Sequence, residues 1–178
     1  AFPQWREQQV TASQCKEQVD IIAQKVMQHI NAATAVNALP LCSALLLANE
    51  QHVVDKKVFI EQLQWHQQWL ALYAQEQVNL ITVEKGSAAQ LLQQALLQHK
   101  FQVVDGQVSC SPVQAKVLDY YRNTIIHLFI LPSLLCHCVS FLLQKNSCVT
   151  IENLINEALP HYLTLQKQYF LTNKLDVT

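Results

Sequence analysis

Glycine is almost missing from this chain: two in 178 residues, Gly86 and Gly106. A glycine-rich loop that wraps backbone amides around a phosphate or dinucleotide cannot be built from that stock. Charge is scarce as well. Charged side chains are 14% of the residues, and 12 Lys and Arg against 13 Asp and Glu leave a net charge of -1. Neutralising a phosphate backbone takes clustered cations, so the balance speaks against nucleic acid as a partner. A regular cysteine framework is lacking too. The six cysteines (15, 42, 110, 136, 138, 148) are irregularly spaced, and several sit in apolar runs. They read as free thiols of a reducing compartment rather than as disulfide partners. Cys136-His137-Cys138 invites a metal reading. However, alternate helix positions point about 100° apart, and no second Cys/His pair lies nearby in sequence, so no metal site is assigned. No cofactor motif is present.

What is abundant is Leu, Ala and Gln, a mixture that favours helices, in a chain long enough for one sizeable core. The expected class is mainly α, with one short β-hairpin. Residues 14–36 place Val19, Ile22, Val26 and Ile30 on one face of an amphipathic helix. A shorter apolar helix covers 38–49. Asp55 can cap a helix running to about residue 75, whose apolar residues are spread so widely that burial on more than one side is expected. Gly86-Ser87 ends a loop and caps a helix to about His99. Asp105-Gly106, between 101–104 and 107–110, supplies the positive φ angles of a type I′ hairpin turn. Pro112 opens a long helix to about Gln144, bent or broken near Pro132. A last helix starts near Thr150, is interrupted at Pro160 and fades after Tyr169.

Three helices followed by a hairpin also suggest a winged-helix-like unit in residues 36–111. Its would-be recognition helix, 87–99, displays Gln90, Gln93, Gln94 and Gln98 but no Lys or Arg, so a packed subdomain is the better reading than a DNA-binding one. The run from Thr124 to Leu143 is long enough to span a bilayer. It carries His127, His137, two serines and a central proline, each costly in lipid, so a core helix or one lying on a membrane surface is favoured.

Residues 120–134, Tyr-Tyr-Arg-Asn-Thr-Ile-Ile-His-Leu-Phe-Ile-Leu-Pro-Ser-Leu, do not read as a plain core helix. On a continuous helix Tyr120, Asn123 and His127 share one stripe. Tyr120-Tyr121-Arg122-Asn123, His127 and Leu131-Pro132-Ser133-Leu134 resemble the C-terminal region of the bacterial membrane-bound glycerol-3-phosphate acyltransferases. Pro3-Gln4-Trp5-Arg6-Glu7 resembles the segment leaving their catalytic domain. Ile30-Asn31-Ala32-Ala33, Ala35-Val36-Asn37-Ala38 and Ala44-Leu45-Leu46-Leu47-Ala48 resemble the first helices after it, and Lys100-Phe101-Gln102-Val103 also fits. The likeness covers roughly residues 3–143; Thr124 departs from it, standing where a second asparagine is expected.

The resemblance implies a parent enzyme that transfers a fatty acyl group from acyl-CoA or acyl-acyl carrier protein to the sn-1 hydroxyl of glycerol 3-phosphate. The parent would work in phospholipid synthesis, on the cytoplasmic face of the bacterial inner membrane. It also implies a general-base His separated by four intervening residues from an orienting Asp. Here His52 stands three residues before Asp55 and His99 six before Asp105. The chain starts at Ala1-Phe2-Pro3 without methionine and stops at Val177-Thr178. The expectation is a non-catalytic piece lying after the active-site domain. Its layout would be a linker in 1–13, a helical subdomain with hairpin in 14–111, and a long bent helix plus C-terminal helices in 112–178. Its partners would be the catalytic domain of the same polypeptide and, through the whole enzyme, the membrane surface and the acyl donor. Tyr120, Arg122, Asn123 and His127 are the candidate domain-interface residues. They could cap and bond neighbouring helices within this domain. They could instead meet the catalytic domain, Arg122 offering its donor fork to a carboxylate or a helix end. Direct contact of Arg122 with the substrate phosphate is a third alternative. A stand-alone helical interaction module without activity is the competing reading of the whole chain. Exposed apolar surface is expected near Trp5, Trp65, Trp69 and residues 124–143.

Overall fold

A computed structural model describes residues 11–76, 81–145 and 148–171. The linker expected in 1–13, with Trp5, falls almost wholly outside them. The centre of the molecule is α2 (Ala38–Leu47). Its sequence, ALPLCSALLL, is apolar all round, and such a helix is stable only when surrounded. Leu41, Cys42 and Leu46 are fully buried, and the buried Ser43 hydroxyl donates back to Leu39 O at 2.7 Å, which removes the cost of its burial.

The other elements close over α2. Asp55 ends β2 (Val53–Asp55) and caps α3 (Lys56–Glu76), its Oδ1 accepting from the backbone N–H groups of Lys57 and Val58 at 2.8 and 3.2 Å. α3 does not bury two sides. Phe59, Leu63 and Leu70 share one broad buried face, whereas Trp65 is 73% exposed and Leu72 also faces solvent. Ser87 and Gln90 form a capping box at the start of α4 (Ala88–Leu96). The strands β4 (Gln102–Val104) and β5 (Gln107–Ser109) follow, with Asp105 at φ 50° and Gly106 at φ 77° between them, as the Asp-Gly signal requires. β5 lies between β2 and β4, antiparallel to both. Val54, Val108 and Val103 are opposite one another in that register and point inward. Helix, strand, helix, helix, hairpin, with the first strand added to the hairpin's second, is the winged-helix arrangement. Two further pieces attach to it. A short parallel pair joins β1 (Ala35–Val36) to β3 (Thr82–Val83), which no local sequence signal announces. α5 (Pro112–Asn123), with Pro112 in its first turn and a Ser111–Gln114 capping box, packs on α2.

The helix expected from 112 to 144 is broken, but ahead of Pro132 rather than at it. α5 stops at Asn123, a 3-10 turn spans Ile126–Leu128, and α6 (Ile130–Gln144) starts afresh. The break therefore precedes Pro132. That proline sits in the first turn of α6, where a missing N–H removes no helical bond. Ile125, Leu128 and Phe129 fill the winged-helix core, so burial of the connecting turn defines the break. Conversely, Pro160 does not interrupt α7 (Ile151–Tyr169), which runs through it and ends at Phe170, φ 54°. Thr150 caps α7, and its Ala158 and Tyr162 pack with Leu134 and Cys138 of α6 into a second, small core. No helix among the described residues is long and apolar enough to cross a membrane. α1 (Ala12–Ala32), capped by Thr11 and Gln14, has no buried residue. All six cysteines are free thiols, but only Cys42 and Cys138 are buried.

Candidate functional site

The helix break divides the four candidate residues. Tyr120, 73% exposed, stands at the end of α5 with its ring edge-on to Tyr121, centroids 5.7 Å apart. Arg122 pairs with Asp119 one turn earlier, the spacing at which helix side chains meet. Its Nη2 also donates to Asn123 Oδ1 at 3.3 Å, and Asn123 Nδ2 reaches back to Asp119 Oδ2 at 3.5 Å. The guanidinium Nε, shielded from solvent, makes no hydrogen bond. Arg122, Asn123 and Asp119 are thus a local polar knot at the C-terminus of α5, where a cation also complements the helix dipole. Asp119 is the member that sequence reasoning missed; its position three residues before Arg122 was the available signal.

His127 lies in the 3-10 turn and faces a different element. Its Nε2 is 3.1 Å from Asn31 O at the end of α1 and 3.2 Å from Thr34 Oγ1. The Thr34 hydroxyl gives its own proton to Asn31 O at 2.7 Å. Both oxygens near Nε2 are therefore acceptors, and the hydrogen-bond pattern assigns the proton to Nε2. Burial pushes the His127 pKa below its ordinary value, partly opposed by the bond to Asn31. Asn31 continues the network, its Nδ2 donating to Tyr169 O at 3.0 Å, while Gln28 Nε2 donates to Leu171 O at 3.2 Å. A single half-buried imidazole thus ties together the end of α1, the α5–α6 turn and, through Asn31, the end of α7.

Chemically this is a joint. An imidazole holding its proton toward two acceptors cannot serve as base to Thr34, and among the described residues no carboxylate bonds to it to orient it for such work. Among the described residues no group of three His, Cys, Asp or Glu side chains could hold a metal. Tyr121, beside Tyr120 and Arg122, lines a cleft of about 490 Å³ with Asn37, Ala38, Leu39, Pro40, Glu84, Gln94 and Gln98. Glu84 has a structural task there. Asn37 makes no side-chain cap to α2, and the Glu84 carboxylate takes its place, accepting from Ala38 N–H at 2.6 Å. The β1–β3 pair positions it, with Glu84 N–H donating to Val36 O at 2.9 Å. Burial first, and Glu84 second, push the Cys42 thiol up to about 12, so it is inert as a nucleophile.

The family model of the glycerol-3-phosphate acyltransferase C-terminal region matches residues 1–178. The glycerol-3-phosphate acyltransferase of Shewanella sp. (strain MR-7) is 32% identical over 157 residues, covering 86% of this chain but 19% of the relative. Those of strains ANA-3 and MR-4 are each 31% identical over the same length and shares. The chain thus spans about 19% of the length of the curated relatives it matches. No solved structure matches it. The chain belongs to the C-terminal region family of the glycerol-3-phosphate acyltransferases.

Proposed function

We propose that this chain is the non-catalytic C-terminal scaffold of a glycerol-3-phosphate 1-O-acyltransferase. The rest of that polypeptide would carry the catalytic His and Asp and the phosphate-binding segments. The whole enzyme would transfer an acyl group from acyl-CoA or acyl-acyl carrier protein to sn-glycerol 3-phosphate at the cytoplasmic face of the inner membrane. The observation that carries the reading is the pairing of a C-terminal family match over every residue with histidines of which none precedes an aspartate at the spacing the family's motif requires. His127, half-buried, is committed to holding helices together. The scaffold's task would be to pack against the catalytic domain, with Tyr120 and the Arg122–Asp119–Asn123 knot exposed at the end of α5 as candidate contacts.

The pure 178-residue chain, incubated with glycerol 3-phosphate and acyl-CoA, should form no lysophosphatidic acid, whereas the full-length enzyme should form it readily. Product from the isolated chain at a rate proportional to its concentration would overturn the scaffold reading. An inactive full-length protein would favour a helical interaction module instead.

A further inference from the structure

The surface that is hardest to explain within this chain is α1. It has 21 residues, so it is about 31 Å long, and none of them is buried. Val19, Ile22, Val26 and Ile30 are 57%, 52%, 49% and 57% exposed and lie on one stripe at three- and four-residue spacing. Among the described residues, it is the C-terminal end of the helix that is tied down, through Gln28 and Asn31. A helix of this length, with β-branched residues at four stripe positions, is marginal in water without an apolar partner. Its charges balance: Lys16 and Asp20 lie on one flank, about 75° and 115° from the stripe's centre, Lys25 about 105° on the other, and Glu17 on the back.

We propose that this stripe seats lengthwise in an apolar groove on the part of the acyltransferase polypeptide that precedes this region. The proposal rests on the functional reading above and names the element that makes its interdomain contact. Most of the polypeptide that could cover the stripe lies outside this chain, which spans about 19% of the length of the relatives it matches. A membrane-surface helix carries an excess of cations, whereas the two lysines of α1 are matched by Glu17 and Asp20. The spacing is that of a helix seam, with β-branched Val and Ile as its knobs.

The test is amide hydrogen exchange over residues 12–32, read in the full-length enzyme in detergent and in the 178-residue chain in the same detergent. Exchange should be at least tenfold slower in the full-length protein. The double substitution Val19→Gln/Val26→Gln, which keeps helix propensity, should abolish that difference and leave the helicity of the 178-residue chain unchanged. Equal exchange in both proteins overturns the proposal. So does equivalent protection of the short chain by phosphatidylglycerol vesicles, which would make the occupant a membrane. Equivalent protection on concentrating the short chain would make it a second copy and overturns the proposal as well. Acylation of glycerol 3-phosphate by the wild-type enzyme reports on the functional reading alone. An active enzyme with an unprotected α1 sinks only the docking.

Discussion

His127 concentrates the energetics of this domain into one side chain. Its two acceptors are 96 and 93 residues away in sequence, at Asn31 and Thr34. No local pattern could have named them, although the presence of a polar group in an apolar block was legible. The same holds for Glu84, which caps a helix 46 residues before it. Arg122 differs, because its partner is local, and an exposed i,i+3 pair stabilises by well under 1 kcal/mol. The half-buried His127 should matter more. Since burial lowers its pKa, the folded state takes up a proton less readily than the unfolded chain. The unfolded state then binds more protons as pH falls below the ordinary histidine value of 6.5, and stability falls with it. Urea midpoints should therefore decrease from pH 7.5 to pH 5.5, a range above most carboxylate titrations. His127→Gln keeps a donor at the Nε2 position without the titration and should flatten that slope. His127→Leu should lose about 1–2 kcal/mol at pH 7.5, the worth of one or two hydrogen bonds. A slope unchanged in the glutamine variant would assign the pH dependence to another group.

At the scale of elements, the sequence was most readable where a turn or cap is written in adjacent residues. Asp105-Gly106, Ser87 with Gln90 and Asp55 all act locally, and each does what its chemistry dictates. Proline was less informative. Pro132 and Pro160 carry the same local penalty, yet one falls in a first turn that needs no N–H and the other inside a continuous helix. Position relative to the helix start, set by burial of Ile125, Leu128 and Phe129, decides between them. Pro160 therefore remains a local cost that α7 tolerates because Ala158 and Tyr162 hold it against α6. Pro160→Ala restores a backbone donor inside the helix and relieves the clash with the preceding turn. It should stabilise α7 by about 1–3 kcal/mol. Helical circular dichroism should persist to higher temperature in the variant; an unchanged or lower midpoint would mean that the proline shape is itself used in packing.

At the scale of the whole molecule, the winged-helix arrangement was visible as three helices and a hairpin, and its lack of cations already argued against DNA. Less visible was the division of the packing. The core around α2 gathers side chains from β2, α3, α4, β5, α5 and the turn after it, whereas the α6–α7 pair shares four buried residues, Leu134, Cys138, Ala158 and Tyr162. α1 contributes none. Apolar area buried sets the resistance to unfolding, so the two parts should not melt together. The tryptophans make this measurable. Trp69 lies half-buried, 5.1 Å from the Tyr73 ring and 5.3 Å from Phe129, in the larger core, and Trp65 is on the same helix. In a Trp5→Phe background, tryptophan fluorescence reports the winged-helix core alone, while far-ultraviolet circular dichroism sums every helix. In urea the dichroism should begin to fall first, as α1, α6 and α7 are lost, and the fluorescence should change in a later, steeper transition. Coincident curves would mean that the His127–Asn31 joint couples the small core to the large one strongly enough to make the chain a single cooperative unit. His127→Leu should then separate them.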